Sequence, residues 1–157
     1  MLFRSMPCAL CSRYRIDGKS RCPGCSYNGY YTEPCKVHHC CSKKNIFHCG
    51  LCKEFPCAKL GKMGDFSNLN TNNVKERTCK RVAACGFESY YNEYKERAIM
   101  LTKALSRYNN GRMKRYLCEL FIQKDIEVLR KIMFMADKLK GKAKDIAKDF
   151  LLIVKSI

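Results

Sequence analysis

The chain has 157 residues, 31 Lys/Arg against 14 Asp/Glu for a formal net charge of +17, and thirteen cysteines. That length suits one domain, or a small module joined to a modest helical one, and no apolar run approaches the roughly 20 residues a membrane span needs. The opening segment, Met1 to Cys8, carries neither an apolar signal core nor a small-residue cleavage site, so a secreted disulfide scaffold is excluded as the expected class, and a cytoplasmic protein with reduced thiols is expected instead.

The cysteines come first in chain order. Ten of them (Cys8, Cys11, Cys22, Cys25, Cys35, Cys40, Cys41, Cys49, Cys52 and Cys57) fall within 50 residues. Three pairs have the C-x2-C spacing, Cys8/Cys11, Cys22/Cys25 and Cys49/Cys52. Two intervening residues let both sulfurs reach one ion at about 2.3 Å, and a tetrahedral Zn2+ takes two such pairs. Cys8, Cys11, Cys22 and Cys25 form one quartet, with Pro23-Gly24 suited to the tight turn of its second pair. Cys35, Cys40, Cys49 and Cys52 form another, with Cys57 as a fifth candidate. Two zinc ions are therefore expected. Ribbon and cross-brace pairings both satisfy the spacing, and an iron–sulfur cluster, also held by four thiolates, is the rival cofactor. Cys41 directly follows Cys40, and adjacent residues rarely point at one ion, so it is expected to pack rather than ligate. His38, His39 and His48 are expected to be partly exposed loop residues. Cys57, after Pro56 and before Ala58-Lys59-Leu60, is expected at the start of a short helix with proline in its first turn. There it would serve as a ligand or as a reactive thiol of lowered pKa.

Cys35-Lys-Val-His-His-Cys40, followed by Phe47-His-Cys49-Gly-Leu-Cys52-Lys-Glu-Phe-Pro-Cys57-Ala-Lys-Leu60, resembles the prokaryotic cysteine-rich family catalogued as domain of unknown function 3795. Cys22-Pro-Gly-Cys25 matches its earlier element, and Tyr108-Asn-Asn-Gly-Arg112 with Tyr116-Leu-Cys118 resembles later ones. Where many members open C-G-L-x-C-x2-C, Arg4 takes the first cysteine position. The resemblance implies a metal-binding fold and no established activity.

After Lys62 the composition turns to Lys, Leu, Ile, Met and Ala, so the expected domains are a zinc module over 1–62 and a helical bundle over 63–157. Residues 63–73 read as a linker, and 74–85 as a helix stopped at Gly86. Phe87, Tyr91, Tyr94, Ala98, Leu101, Leu105 and Tyr108 recur at helical steps up to Asn109-Asn110-Gly111. A third helix is expected over 112–121, carrying Met113, Tyr116, Leu117, Leu120 and Phe121. A fourth, capped by Asp125, should bury Ile126, Leu129, Met133 and Ala136. After Gly141 the last helix carries Ala143, Ile146, Ala147, Phe150, Leu151 and Val154. The fold class is thus mostly α: an irregular cysteine-rich zinc module with little or no β structure, then a small antiparallel bundle.

Two Zn(Cys)4 centres, each carrying a net charge of −2, would lower the net charge to about +13. The excess that survives still suits a polyanion. Tyr27, Tyr30 and Tyr31, with Tyr14, interleave with Arg13, Arg15, Lys19, Arg21 and Lys36 on expected loops, with Lys43 and Lys44 beyond. That pattern points to phosphate contacts and base stacking on structured RNA or another nucleic acid. The tyrosines around Arg97 are expected to be core instead, because they continue the apolar stripe. No paired carboxylates, phosphate loop or H-E-x-x-H accompanies the cysteines, so a non-enzymatic zinc protein is expected. A zinc-stabilised adaptor for a protein partner and a thiol or iron–sulfur redox protein are the alternatives.

Overall fold

A computed structural model describes residues 7–24, 36–61 and 74–157. The chain divides into two compact units, residues 1–92 and 93–157. The expected boundary at 62/63 and the 63–73 linker lie outside the described residues. Among the described residues every regular element is helical, so the fold is mostly α.

In the first unit the cysteine-rich part is more regular than expected. Helix α1 (Lys36–Lys43) buries Val37 and Cys41, which lie four residues apart and so share one helix face. Its end is a Schellman motif. Asn45 takes a left-handed conformation, φ 50°; its N–H donates to the Ser42 carbonyl at 3.1 Å, and the Ile46 N–H donates to the Cys41 carbonyl at 3.0 Å. These bonds satisfy carbonyls that the helix leaves open, and Asn tolerates the left-handed position better than most residues. The motif turns the chain back on itself, and Ile46 packs against the cluster formed by Val37, Cys41, Cys49, Leu60 and Cys79.

Helix α2 (Ala58–Gly61) is a single turn in which the Cys57 carbonyl accepts from the N–H groups of Leu60 and Gly61. Pro56 therefore precedes the helix instead of standing in its first turn. Helix α3 (Val74–Cys85) buries Val74, Thr78, Cys79 and Val82 and stops at Gly86, whose φ of +80° suits a residue without Cβ. Both limits agree with the sequence.

Helix α4 (Phe87–Arg107) buries Tyr94 and Leu101 of the expected stripe together with Ala104, which lies outside it, while Phe87, Tyr91, Ala98 and Leu105 are half-buried. In the second unit, α5 (Lys114–Gln123), α6 (Ile126–Ala136) and α7 (Ala143–Ser156) complete a helical bundle. Helix α5 starts two residues later than the apolar pattern suggests, because the Asn side chains claim the backbone first. Asn109 Oδ1 accepts from the N–H groups of Gly111 and Met113, and Asn110 Oδ1 accepts from Arg112 N–H. The Tyr108–Arg112 element is thus a helix–helix turn. Its Tyr108 is fully buried, stacks on Phe150 at 4.6 Å between centroids, and donates its hydroxyl to Asp137 Oδ1 at 3.2 Å. Of the residues the sequence places on α5, Tyr116 is 40% exposed. Asp125 occupies the N-cap position of α6, but its side chain makes no capping bond.

Arg97 accounts for the end of α5. Its Nη1 donates to the carbonyls of Phe121 at 2.9 Å and Lys124 at 2.7 Å, while Glu93 Oε1 holds the other edge of the guanidinium. A cation at a helix C-terminus satisfies orphan carbonyls and favours the helix dipole. Arg97→Met is expected to lower stability by about 2 kcal/mol, because it leaves carbonyls and a carboxylate short of a charged donor. A denaturation curve reads this directly; a midpoint within error of wild type would contradict it.

Candidate metal centre

Two C-x2-C segments fold into the same single 3-10 turn, Cys8–Leu10 and Cys49–Leu51. In each the second cysteine donates its N–H to the carbonyl of the first, Cys11 to Cys8 at 2.9 Å and Cys52 to Cys49 at 3.0 Å. The residues closing them share one extended conformation, φ/ψ −82°/131° at Cys11 and −79°/130° at Cys52. The backbones of Pro-Cys-Ala-Leu-Cys and His-Cys-Gly-Leu-Cys are therefore structural equivalents.

Around the first turn, Cys22 N–H donates to the Arg13 carbonyl at 3.1 Å, and Gly24 follows with φ +87°, the turn that Pro23-Gly24 predicts. Arg15 Nε donates to the Ala9 carbonyl at 2.6 Å. Arg21 Nε donates to the Tyr14 carbonyl at 3.0 Å, with its guanidinium 4.9 Å from the Tyr14 ring centroid. Two of the arginines read as phosphate contacts thus hold this loop together. Cys25, Tyr27, Tyr30, Tyr31 and Cys35 lie outside the described residues.

The second turn opens on a small cleft whose lining includes Cys40, Cys41, Cys49, Cys52 and Cys57. Three stretches of chain deliver these thiols: α1, the 3-10 turn, and the residue before α2. Cys41 is 2% exposed and Cys49 8%, and their sulfurs are 3.5 Å apart. Cys57 packs against the same cluster. At the rim, Lys44 Nζ lies 4.0 Å from Cys52 Sγ, and Lys59 Nζ lies 3.9 Å from Cys40 Sγ. Lys44 also pairs with Glu54, whose carboxylate holds the ammonium above its usual pKa and is itself held below the usual range.

Five thiols at one cleft, with ammonium groups beside two of them, fit the chemistry of a Zn2+–thiolate centre. Among the described residues, however, no three or more His, Cys, Asp or Glu side chains converge as they stand into a group that could hold an ion. None of the described cysteines is in a disulfide.

The second turn is locked to α3 by a close approach. A Cβ on Gly50 would lie 2.8 Å from Val82 Cβ and nearer still to the Cys79 carbonyl oxygen. Only glycine fits there. The sequence shows this glycine but not the helix that requires it.

His48 departs from expectation: it is fully buried rather than partly exposed. Its Nδ1 accepts from Gly50 N–H at 3.0 Å, and the rings of Phe87 and Tyr90 stand 6.2 and 5.9 Å away. The bond at Nδ1 places the proton of the neutral ring on Nε2, which has no hydrogen-bond partner. In this tautomer neither nitrogen offers a lone pair to a metal. Burial lowers the His48 pKa from 6.5 to about 4. Between those values the unfolded chain binds a proton that the folded one excludes. His48 therefore contributes full stability above pH 6.5, and that contribution is lost progressively as the pH falls toward about 4. His48→Asn, which keeps an acceptor for Gly50 but does not titrate, is expected to flatten the unfolding midpoint across that window. A profile parallel to wild type would contradict this.

Residues 5–62 match the model of the family described as "Protein of unknown function (DUF3795)". The resemblance to that family covers the cysteine-rich segment. It stops short of the Tyr108–Arg112 and Tyr116–Cys118 elements, which resemble the family only motif by motif. No curated protein and no solved structure matches the chain. No helix among the described residues is long and apolar enough to cross a membrane.

Proposed function

We propose that this is a non-enzymatic zinc-binding protein, in which thiolates from residues 8–57 hold two ions and thereby shape a small basic module. The observation that carries this reading is the gathering of Cys40, Cys41, Cys49, Cys52 and Cys57 at one cleft. The equivalent turn at Cys8/Cys11, with Cys22 held to its loop, supports a second centre, completed by Cys25. An ion held by four thiolates has no open position and is structural. Each thiol loses its proton to solvent on binding, so affinity falls with falling pH. Titrating Co2+ into metal-free protein under reducing conditions is expected to give sulfur-to-cobalt charge-transfer absorption, and stoichiometric Zn2+ is expected to abolish it. Absence of that absorption would overturn the proposal.

A second reading, binding of structured RNA by this module, is favoured by the exposure of Arg13, Lys19, Lys36 and Lys43. Lys36 and Lys43 belong to α1 rather than to a loop, so they present charge from a fixed scaffold. Arg15 and Arg21 are engaged within their own loop, and Lys44 is engaged by Glu54. The expected phosphate contacts are accordingly fewer than the sequence suggests. Binding should weaken steeply with salt; undetectable or salt-independent binding to RNA pools would remove this reading.

A further inference from the structure

The geometry points to Cys41, the cysteine that spacing sets aside, as a ligand of the second metal centre, acting with Cys49, Cys52 and Cys57. This inference rests on the zinc reading above and assigns its site.

The register of α1 carries it. Consecutive helical residues project about 100° apart, so Cys40 and Cys41, although both line the cleft, face different parts of it. Helix α1 turns Val37 and Cys41 inward, while Cys40 stands half-buried with its sulfur 3.9 Å from Lys59 Nζ. The Schellman turn at Asn45 then returns the chain so that Cys49 meets Cys41, sulfur to sulfur, at 3.5 Å. In a tetrahedral zinc–thiolate centre with bonds of about 2.3 Å, sulfurs sit about 3.8 Å apart along each edge. The Cys41–Cys49 separation is close to one such edge. Cys49 also belongs to a C-x2-C turn, whose paired sulfurs serve one ion, so Cys41 is the α1 thiol placed to join that pair, with Cys52 closing on the ion as it binds. Cys57 packs on the same cluster and supplies the fourth thiolate. Cys40 is left as a rim thiol beside Lys59.

The alternative for the pair is a buried thiol–thiol contact with no metal role, since cysteine also packs as a small hydrophobe. Loading the full-length wild-type chain with 113Cd2+, which takes the same thiolate sites, and recording 1H–113Cd correlations separates the two without any variant. The expected result is a coupling from one cadmium to the β-protons of Cys41, Cys49, Cys52 and Cys57. Couplings to Cys40 and none to Cys41 would overturn the inference and leave the zinc reading standing. Failure of the protein to take up cadmium would overturn the zinc reading itself. As a second measurement, Cys41→Val, which fills the buried space, is expected to lower cobalt charge-transfer intensity at this centre with the helical signal retained. Unchanged intensity would count against Cys41.

Discussion

Stripping the protein of zinc with a strong chelator is expected to unfold the cysteine-rich segment while α5, α6 and α7 stay helical. The apolar cluster around that segment is small, and three of its five buried members are cysteines: Cys41, Cys49 and, from α3, Cys79, beside Val37 and Leu60. Structural zinc sites in comparable peptides bind with an apparent free energy of about 10–16 kcal/mol, as large as the whole stability of an ordinary domain. On the zinc reading, a segment with so little apolar burial is expected to need that contribution to fold. Helix α3 should fray with it, since its buried face, Cys79 and Val82, lies against Gly50 of the second turn. Tyr108, Phe121, Phe150, Leu117, Leu129 and Ile132 form an apolar interior in the second unit that needs no metal. Circular dichroism should therefore show a partial loss of helix that zinc restores. A spectrum and melting curve indifferent to chelation would contradict the account.

Gly50→Ala is expected to cost about 3 kcal/mol, near the top of the range for inserting a methyl into a packed site. The added carbon meets the backbone of α3 at the Cys79 carbonyl, which sits inside a helix and cannot swing away, and it meets Val82, which is fully buried. Separation of the turn from α3 would also displace Cys49 and Cys52 from the cleft. The variant should accordingly lose zinc affinity as well as stability. Gly61→Ala is the control, because a Cβ there meets nothing within 4 Å. Equal stability of the two variants would show that the close approach is not what the geometry indicates.

The helical half was largely legible in the sequence because its signals are local. Gly86, Gly111 and Gly141 all take positive φ at the breaks read from composition, and the four-and-three stepping along α4 buries Tyr94, Leu101 and Tyr108 while leaving Phe87, Tyr91, Ala98 and Leu105 half-buried. The start of α5 was misplaced because side-chain oxygens of Asn109 and Asn110 compete for the first N–H groups, a preference that apolar periodicity does not register. In the cysteine-rich half, spacing marks the two C-x2-C turns at Cys8 and Cys49, but α1 does not stand out in the sequence. Its eight residues hold only Val37 and Cys41 as an inward pair, too short a run for periodicity to stand out. The signal that would have found it is Lys43-Lys44-Asn45-Ile46, basic residues followed by a left-handed asparagine and an apolar residue, the pattern of a helix C-terminus. The burial of His48 is not legible locally, because it depends on Phe87 and Tyr90, about forty residues further on.

The central claim is that thiolates and zinc, rather than an apolar core, organise residues 8–57. Native mass spectrometry of the protein purified without added metal, paired with elemental analysis, tests it most directly. The predicted result is a folded ion carrying two zinc per chain, converting to an extended metal-free charge distribution on acidification. A compact metal-free ion, or iron with acid-labile sulfide in place of zinc, would contradict it.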